Sequence, residues 1–264
     1  MRVIRKYSYY LLSIFELLGG FTDPFLILRV FLGLPVPPPV VVRLRRSGLR
    51  FHVRGGMDIW SLKETFLDRF YERCGFAIQP GWTVIDVGAG LGDFTLFAAM
   101  QKAACVYAFE PFPGSFDLLA QNLELNQVQN VSIFPQAVGG AGGSLTLDLR
   151  GGEPLQFQSR AGSVAPAQGQ ITVESRSLAQ VFDLPGLESC DLMKLDCEGA
   201  EYEILFSAPP ELFQRIQRLV LEYHEQVTEY TRDDLVNFLQ AQGFEVEVFP
   251  NAVHADLGYL RAMR

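Results

Sequence analysis

Apolar and polar positions change rhythm along this chain, and the change divides it. From Trp82 onward, short runs such as Val84-Ile85-Asp86-Val87 are apolar almost throughout, the pattern of strands covered on both faces by helices. Strands are predicted at 82–87, 105–109, 131–134, 192–195, 219–221, 245–249 and about 257–261, with helices near 93–101, 113–126, 200–206 and 232–242. This alternation predicts a doubly wound α/β domain with ligands at the carboxyl ends of the strands. An insertion at about 140–176 interrupts it, with strands at 144–149 and 171–175. The Gly/Gln/Ser/Ala-rich stretch between them, 150–170, is long for a compact domain and reads as a lid or as weakly ordered surface when no substrate is bound.

The first 54 residues follow a different pattern and are read as an extension ahead of a domain at 55–264. Tyr7, Tyr10, Leu11, Ile14, Leu17 and Leu18 recur at helical spacing, and Gly19-Gly20 supplies a stop. A second helix is predicted from Pro24 to Leu32, before the breaker cluster Pro35–Pro39, and a hairpin at 40–44 and 49–53 around Ser47-Gly48. Ser61 and Glu64 have capping-box spacing, which predicts a helix from Ser61 to about Arg73. Glu16 interrupts the first apolar stretch and no small-residue cleavage site follows, against a signal peptide. The runs are too short to span a membrane, which takes about 20 apolar residues.

Charge sharpens the division. The 264 residues carry a net −8, which excludes a generic nucleic-acid binder, and 48% are hydrophobic, which excludes disorder as the main state. Residues 1–54 hold nine Lys/Arg against two acids, a net +7, so the remainder carries −15. The head therefore reads either as a helical cap on the body or as an interfacial helix pair, residues 1–34, meeting anionic lipid. Cys74, Cys105, Cys190 and Cys197 are sparse and never spaced Cys-x-x-Cys; they read as reduced thiols of a cytoplasmic protein, without zinc or disulfides, with peripheral membrane contact left open.

Candidate chemistry begins where the first strand ends, at Asp86-Val87-Gly88-Ala89-Gly90-Leu91-Gly92. Glycines turn the chain tightly and bring backbone amides against a ligand. A dinucleotide fingerprint would need glycine at position 93, which is Asp93, and a triphosphate loop would need a lysine. What remains is Asp-x-Gly-x-Gly-x-Gly, in which the acid serves an amino acid's α-ammonium directly or through water, and that ligand is S-adenosylmethionine. Glu110, at the end of the second strand, is placed to accept both ribose hydroxyls.

The run Leu192-Met193-Lys194-Leu195-Asp196-Cys197-Glu198-Gly199-Ala200-Glu201 resembles the signature of the FkbM family of S-adenosylmethionine-dependent methyltransferases. Val84–Gly92, Phe109-Glu110-Pro111, the Asn122 and Asn126 pair, Ala137-Val138 and Leu221-Glu222-Tyr223-His224 support it, over about residues 57–262. The head before Arg50 matches nothing in the family, and Cys197 stands where valine or isoleucine is commoner. The resemblance implies a class I methyltransferase fold, Rossmann-like, with seven strands in the order 3-2-1-4-5-7-6, the seventh antiparallel. It implies O-methylation of a hydroxyl on a sugar, lipid or secondary metabolite. It also implies cofactor contacts from Asp86, Gly88, Gly90, Gly92, Glu110, Pro111, Ala137, Val138 and Asp196, and from Glu64 unless that is a surface acid.

A hydroxyl acceptor needs its proton removed. His224, past the fifth strand, is the leading base candidate unless it is a structural histidine. Asp196 is assigned to hold cofactor or acceptor and Glu198 to contact the acceptor, the alternative for Glu198 being a charge that offsets a helix dipole. Glu201 reads as first-turn charge, and Lys194 as the buried partner of a nearby acid. Asp196, Glu198, Glu222 and His224 would suit a hard divalent ion if they converged, but no metal ligand is assigned. The competing reading from a different class is a non-catalytic cofactor-fold module docking on a membrane or a partner enzyme through its basic head. Oligomeric state is not readable.

Overall fold

The structure is a computed structural model that describes residues 2–73, 77–149, 158–161, 169–225, 228–251 and 257–264, with the side chains of 2–10 and 158–161 excepted. Apolar runs from Trp82 onward become a seven-stranded sheet. Its members are β3 (Thr83–Val87), β4 (Cys105–Phe109), β5 (Val131–Phe134), β10 (Leu192–Leu195), β11 (Arg218–His224), β12 (Glu245–Pro250) and β13 (Leu257–Met263). Their order is β5-β4-β3-β10-β11-β13-β12, with only β13 antiparallel to its neighbours. This is the order and polarity that the family resemblance implies. β3 and β10 sit centrally, and their carboxyl ends meet in register, Asp86 opposite Lys194 and Val87 opposite Leu195.

Helices α5 (Asp93–Met100), α6 (Pro113–Leu125), α8 (Glu201–Phe206) and α9 (Arg232–Ala241) fall within a residue of their expected bounds. Helix α7 (Leu178–Phe182) starts at a Ser177–Gln180 capping box after the insertion. One core, including Val181, Phe182, Leu205, Phe213 and Tyr223, fills one side of the sheet. The other face is packed by Leu96, Leu119 and residues from the head. Each such buried Leu or Phe contributes roughly 1.5–3 kcal/mol.

The insertion is larger than the expected hairpin. β7 (Gly143–Asp148) and β9 (Gln170–Ser177) pair antiparallel as expected, but β6 (Ala137–Gly139) and β8 (Gln158–Ala161) extend them into a four-stranded sheet ordered β6-β9-β7-β8. Of the expected lid, 150–157 and 162–168 lie outside the described residues.

In the head, α1 (Arg2–Gly20) and α2 (Pro24–Phe31) precede the hairpin of β1 (Val41–Arg43) and β2 (Arg50–His52). Asp23 caps α2 by accepting the Leu26 N–H at 2.9 Å. The apolar positions of α1 divide between the body and solvent. Leu17 is buried, but Leu11 and Ile14 are exposed and the inner position is Ser13; Tyr7 and Tyr10 lie outside the described side chains. The helix meets the body along a narrow line, where Glu16 reaches buried Lys63 at 3.1 Å and Gly20 lies against Leu67.

The helix expected from Ser61 to Arg73 is corrected too. α3 (Gly56–Leu62) starts earlier because Asp58 accepts the Arg54 N–H at 2.6 Å and answers its guanidinium at 2.8 Å. A π-helical turn, Lys63–Leu67, and the short α4 (Phe70–Arg73) follow. Ser61 is thus inside a helix, and no capping box forms there.

The Asn122 and Asn126 pair explains how the hairpin docks. One turn apart on α6, these side chains act like an added strand edge. Asn122 Oδ1 accepts the His52 N–H at 2.7 Å, and Asn126 accepts the Arg50 N–H at 3.0 Å while donating to the Arg50 carbonyl at 2.7 Å. Asn122 is fully buried and also donates to the Leu91 carbonyl at 2.9 Å, linking the hairpin to the glycine loop. Asn122→Ala leaves these buried groups unpaired and is expected to cost about 1–3 kcal/mol in urea denaturation, with Asn126→Ala costing less. Equal, negligible losses would show that the two amides do not hold the head.

Candidate active site

At the carboxyl end of β3 the chain turns through Gly88, Gly90 and Gly92, each at positive φ. At Gly88 the turn is obligatory, since φ is 77° and a Cβ would strike the Asp196 carbonyl of the neighbouring strand end. Gly88 and Ala89 donate their N–H groups to the Phe109 carbonyl, both at 3.0 Å, which seats the loop on β4. Gly88 and Gly90 line a cleft of about 330 Å³. Gly92 does not; it precedes α5 at φ 89° and packs against Leu119.

Asp86 lies deeper than the loop that follows it. It is fully buried, absent from the cleft wall, accepts the Thr95 hydroxyl at 2.6 Å and pairs with Lys194 at 3.2 Å. Asp93 lines the cleft instead, held by the hydroxyls of Thr65 and Ser61, one helical turn apart. Burial raises its pKa. Lys194 donates to the Gly88 carbonyl at 2.8 Å and lies 3.7 Å from Asp196. Burial opposes its charge, but Asp86, Asp196 and Asp93 outweigh it and hold the ammonium above its ordinary pKa.

Glu110 reaches the cleft from the end of β4. Its two oxygens accept the Gly90 and Phe112 N–H groups, each at 2.8 Å, and burial pushes its carboxyl up to about 7. Pro111, Ala137 and Val138 line the same cleft. Glu64 does too, on the π turn: its carboxylate accepts the Trp60 indole N–H at 2.9 Å, and burial again raises it to about 7.

Opposite the glycine loop, Asp196 and Glu198 follow β10, and Glu222 and His224 come from β11. Glu198 stands at φ 53°, a left-handed conformation unusual for a glutamate, followed by Gly199 at 106°. Buried Glu201 fixes this turn by accepting the Cys197 N–H at 2.7 Å and the Gly199 N–H at 2.9 Å. Its role is therefore more than first-turn charge. His224 lies between two acids, Nδ1 3.4 Å from Glu201 and Nε2 3.6 Å from Glu198, separations of ion pairs more than of formed hydrogen bonds. Burial works against its proton, but Glu201, Glu198 and Glu222 carry it up to about 10. Burial raises Glu198 to about 7 against the pull of His224, and burial together with Asp196 puts Glu222 well above its ordinary value.

Donor atoms of Asp196, Glu198 and His224 all lie within 4.8 Å of one another, a set that could take a hard divalent cation in place of the His224 proton. The cleft also fits a positively charged amino-acid nucleoside. Asp93, Glu64, Asp196 and Glu222 offer carboxylates, Glu110 faces it at the strand end, and bare backbone at Gly88 and Gly90 leaves room for close approach. Sequence reasoning missed Phe70, Tyr71 and Tyr259 as walls. Tyr259 had a signal in register, since it sits opposite Glu222 across β13 and β11. Phe70 and Tyr71 had none, because the helix carrying them was placed as one continuous element.

Residues 86–246 match the methyltransferase FkbM domain. The chain belongs to the FkbM methyltransferase family. Among its relatives in this family, the 31-O-demethyl-FK506 methyltransferase of Streptomyces tacrolimicus is 28% identical over 232 residues, covering 78% of this chain and 88% of that protein. A hexuronic acid methyltransferase of Haloferax volcanii is 23% identical over 190 residues, covering 72% and 76% respectively. The crystal structure of an FkbM methyltransferase from Methylobacillus flagellatus shares the fold, with a TM-score of 0.52 at 14% identity over 73% of this chain and 46% of that one. In this FkbM-family chain the signature Lys194 is a buried tie between two strand ends. Lys194→Met strands Asp86 without its cation and is expected to cost about 3–5 kcal/mol in chemical denaturation, part of which Asp86→Asn in the same chain restores. An unchanged midpoint for the single variant would refute this role.

Proposed function

We propose that the protein is an S-adenosylmethionine-dependent O-methyltransferase acting on a small-molecule hydroxyl. One observation carries the reading: a glycine loop and a strand-end glutamate face, across one acid-lined cleft, a carboxylate–histidine group of the kind that deprotonates an alcohol. The cofactor would supply an electrophilic methyl group and leave as a neutral thioether.

Residues of this chain supply position and proton transfer. Glu110 takes the ribose hydroxyls and Asp93, in the place first given to Asp86, takes the ammonium. Pro111, Ala137 and Val138 flank the base. Asp196 and Glu198 hold the acceptor hydroxyl toward the methyl group, and such alignment supplies much of the acceleration in an in-line displacement. Glu198 is the better base in this arrangement. With a pKa of about 7 it is a carboxylate over the neutral to alkaline range, whereas His224, held protonated up to about 10, has no free pair to accept a proton. The hydroxyl proton passes to Glu198 as the oxygen–methyl bond forms, and the His224 cation keeps that carboxylate ionised and aimed.

Calorimetry with S-adenosylhomocysteine is expected to show one site in the wild type and none in folded Gly90→Arg; no binding to the wild type would remove the reading. Turnover is expected to rise with pH through about 7, because the base acts only when deprotonated. Glu198→Gln should lower kcat by about 10²–10⁴. His224→Asn should move the acid limb of the profile to higher pH, since Glu198 loses the charge that lowers its pKa. An unshifted profile would leave His224 a merely structural role.

A further inference from the structure

The helix pair at the front of the chain is an unusual cap. α1 leaves Leu11, Leu12 and Phe15 in solvent, and Phe25 on α2 is 78% exposed. Nine of the thirteen large exposed apolar side chains among the described residues lie between Leu11 and Leu34. A protein surface usually scatters such side chains singly, and a concentration like this marks a contact.

The same helices roof a cavity of about 820 Å³. Ile14, Leu17, Leu28 and Leu32 form one wall, and Phe249 and Pro250 another. Met57, Trp60, Glu64, Phe70, Asn251 and Tyr259 line both this cavity and the acid-lined cleft. An acceptor whose hydroxyl reaches Glu198 therefore has a large, mostly apolar volume behind it, within the size range of a ligand pocket.

Charge identifies the surface that supplies it. Residues 1–54 carry +7. Exposed Arg29, Arg43 and Arg45 donate to the backbone carbonyls of Pro35, Gly48, and Gly19 and Phe21, neutral partners that leave their charge in place. Arg29 on α2 and Arg45 of the hairpin, which donates to Gly19 and Phe21 at the α1–α2 connection, set positive charge beside these apolar side chains, the combination that meets an anionic lipid surface. Among the described residues no helix is long and apolar enough to cross a membrane.

We propose that the methyl acceptor is a membrane-borne amphiphile, its hydroxyl-bearing head at Glu198 and its long apolar tail beneath α1 and α2, collected from an anionic lipid surface by the exposed face of that helix pair. The proposal rests on the methyltransferase reading above. That surface and that cavity are then one device, a landing face above and a tail channel below.

The test uses the full chain with Trp82→Phe, which leaves Trp60 as its one tryptophan. A brominated long-chain alcohol is expected to quench Trp60 saturably, and bromoethanol is not. Leu28→Lys with Leu32→Lys, two exposed changes in the cavity wall, should raise the half-quenching concentration about tenfold or more, because each replaces apolar tail contact with a charge. The protein should float with phosphatidylcholine vesicles that contain phosphatidylglycerol and not with pure phosphatidylcholine. Phe15→Glu with Phe25→Glu should abolish flotation while S-adenosylhomocysteine affinity stays unchanged. Equal quenching by both alcohols, no quenching, flotation independent of lipid charge, or no flotation would each overturn the proposal. Intact S-adenosylhomocysteine binding beside any of these would leave the methyltransferase reading standing, and its absence in the wild type would defeat that reading instead.

Discussion

A single buried ammonium holds the two central strand ends together. Lys194 on β10 faces Asp86 on β3, donates to the Gly88 carbonyl and approaches Asp196, so one side chain ties the glycine loop to the acid turn where the backbone pairing of the two strands ends. Burying a charge is tolerable only where partners surround it, and here each partner needs the ammonium as much as it needs them. Asp86, the acid of the loop motif, thus acts from behind the cleft. It gives Lys194 its place, and Lys194 gives the cleft its shape.

Around that tie the cleft concentrates carboxylates that burial drives toward protonation. Glu64, Glu110 and Glu198 all rise to about 7, and Glu222 is raised well above its ordinary value. Such a group is poised to accept cations and protons, which suits a sulfonium donor and a hydroxyl acceptor better than any anionic ligand. His224 answers part of this charge as an imidazolium. Glu201 does two jobs at once, since it fixes the strained Glu198 turn through two N–H bonds and lies beside His224. Two strands and one turn thereby bring two carboxylates and an imidazolium within 4.8 Å of one another.

Much of this was legible in the chain. Strands β3, β4, β5 and β10 are short apolar runs that have no alternative to burial, and they lie where the pattern put them. Asp196, Glu198 and His224 converge because parallel neighbours place equivalent ends side by side. The errors share a cause: local spacing was outweighed by tertiary contacts. Ser61 and Glu64 have the spacing of a cap, yet Asp58 starts the helix sooner, which frees Ser61 and Thr65 for Asp93 and Glu64 for Trp60. Helical spacing put Leu11, Ile14 and Leu17 on one face, and only the tertiary contacts separate them, Leu17 buried and Leu11 and Ile14 in solvent. Which of His224 and Glu198 holds its proton near neutral pH could not be read from residue types, because it depends on which acids surround the imidazole.

The most direct measurement is a crystal structure of the full chain with S-adenosylhomocysteine. Expected there are the ribose hydroxyls on Glu110, the ammonium at Asp93, Asp86 still behind the wall on Lys194, and the sulfur facing Glu198 and Asp196. A nucleoside bound in this cleft with its sulfur turned away from Glu198, or a ligand ordered outside the cleft, would contradict it.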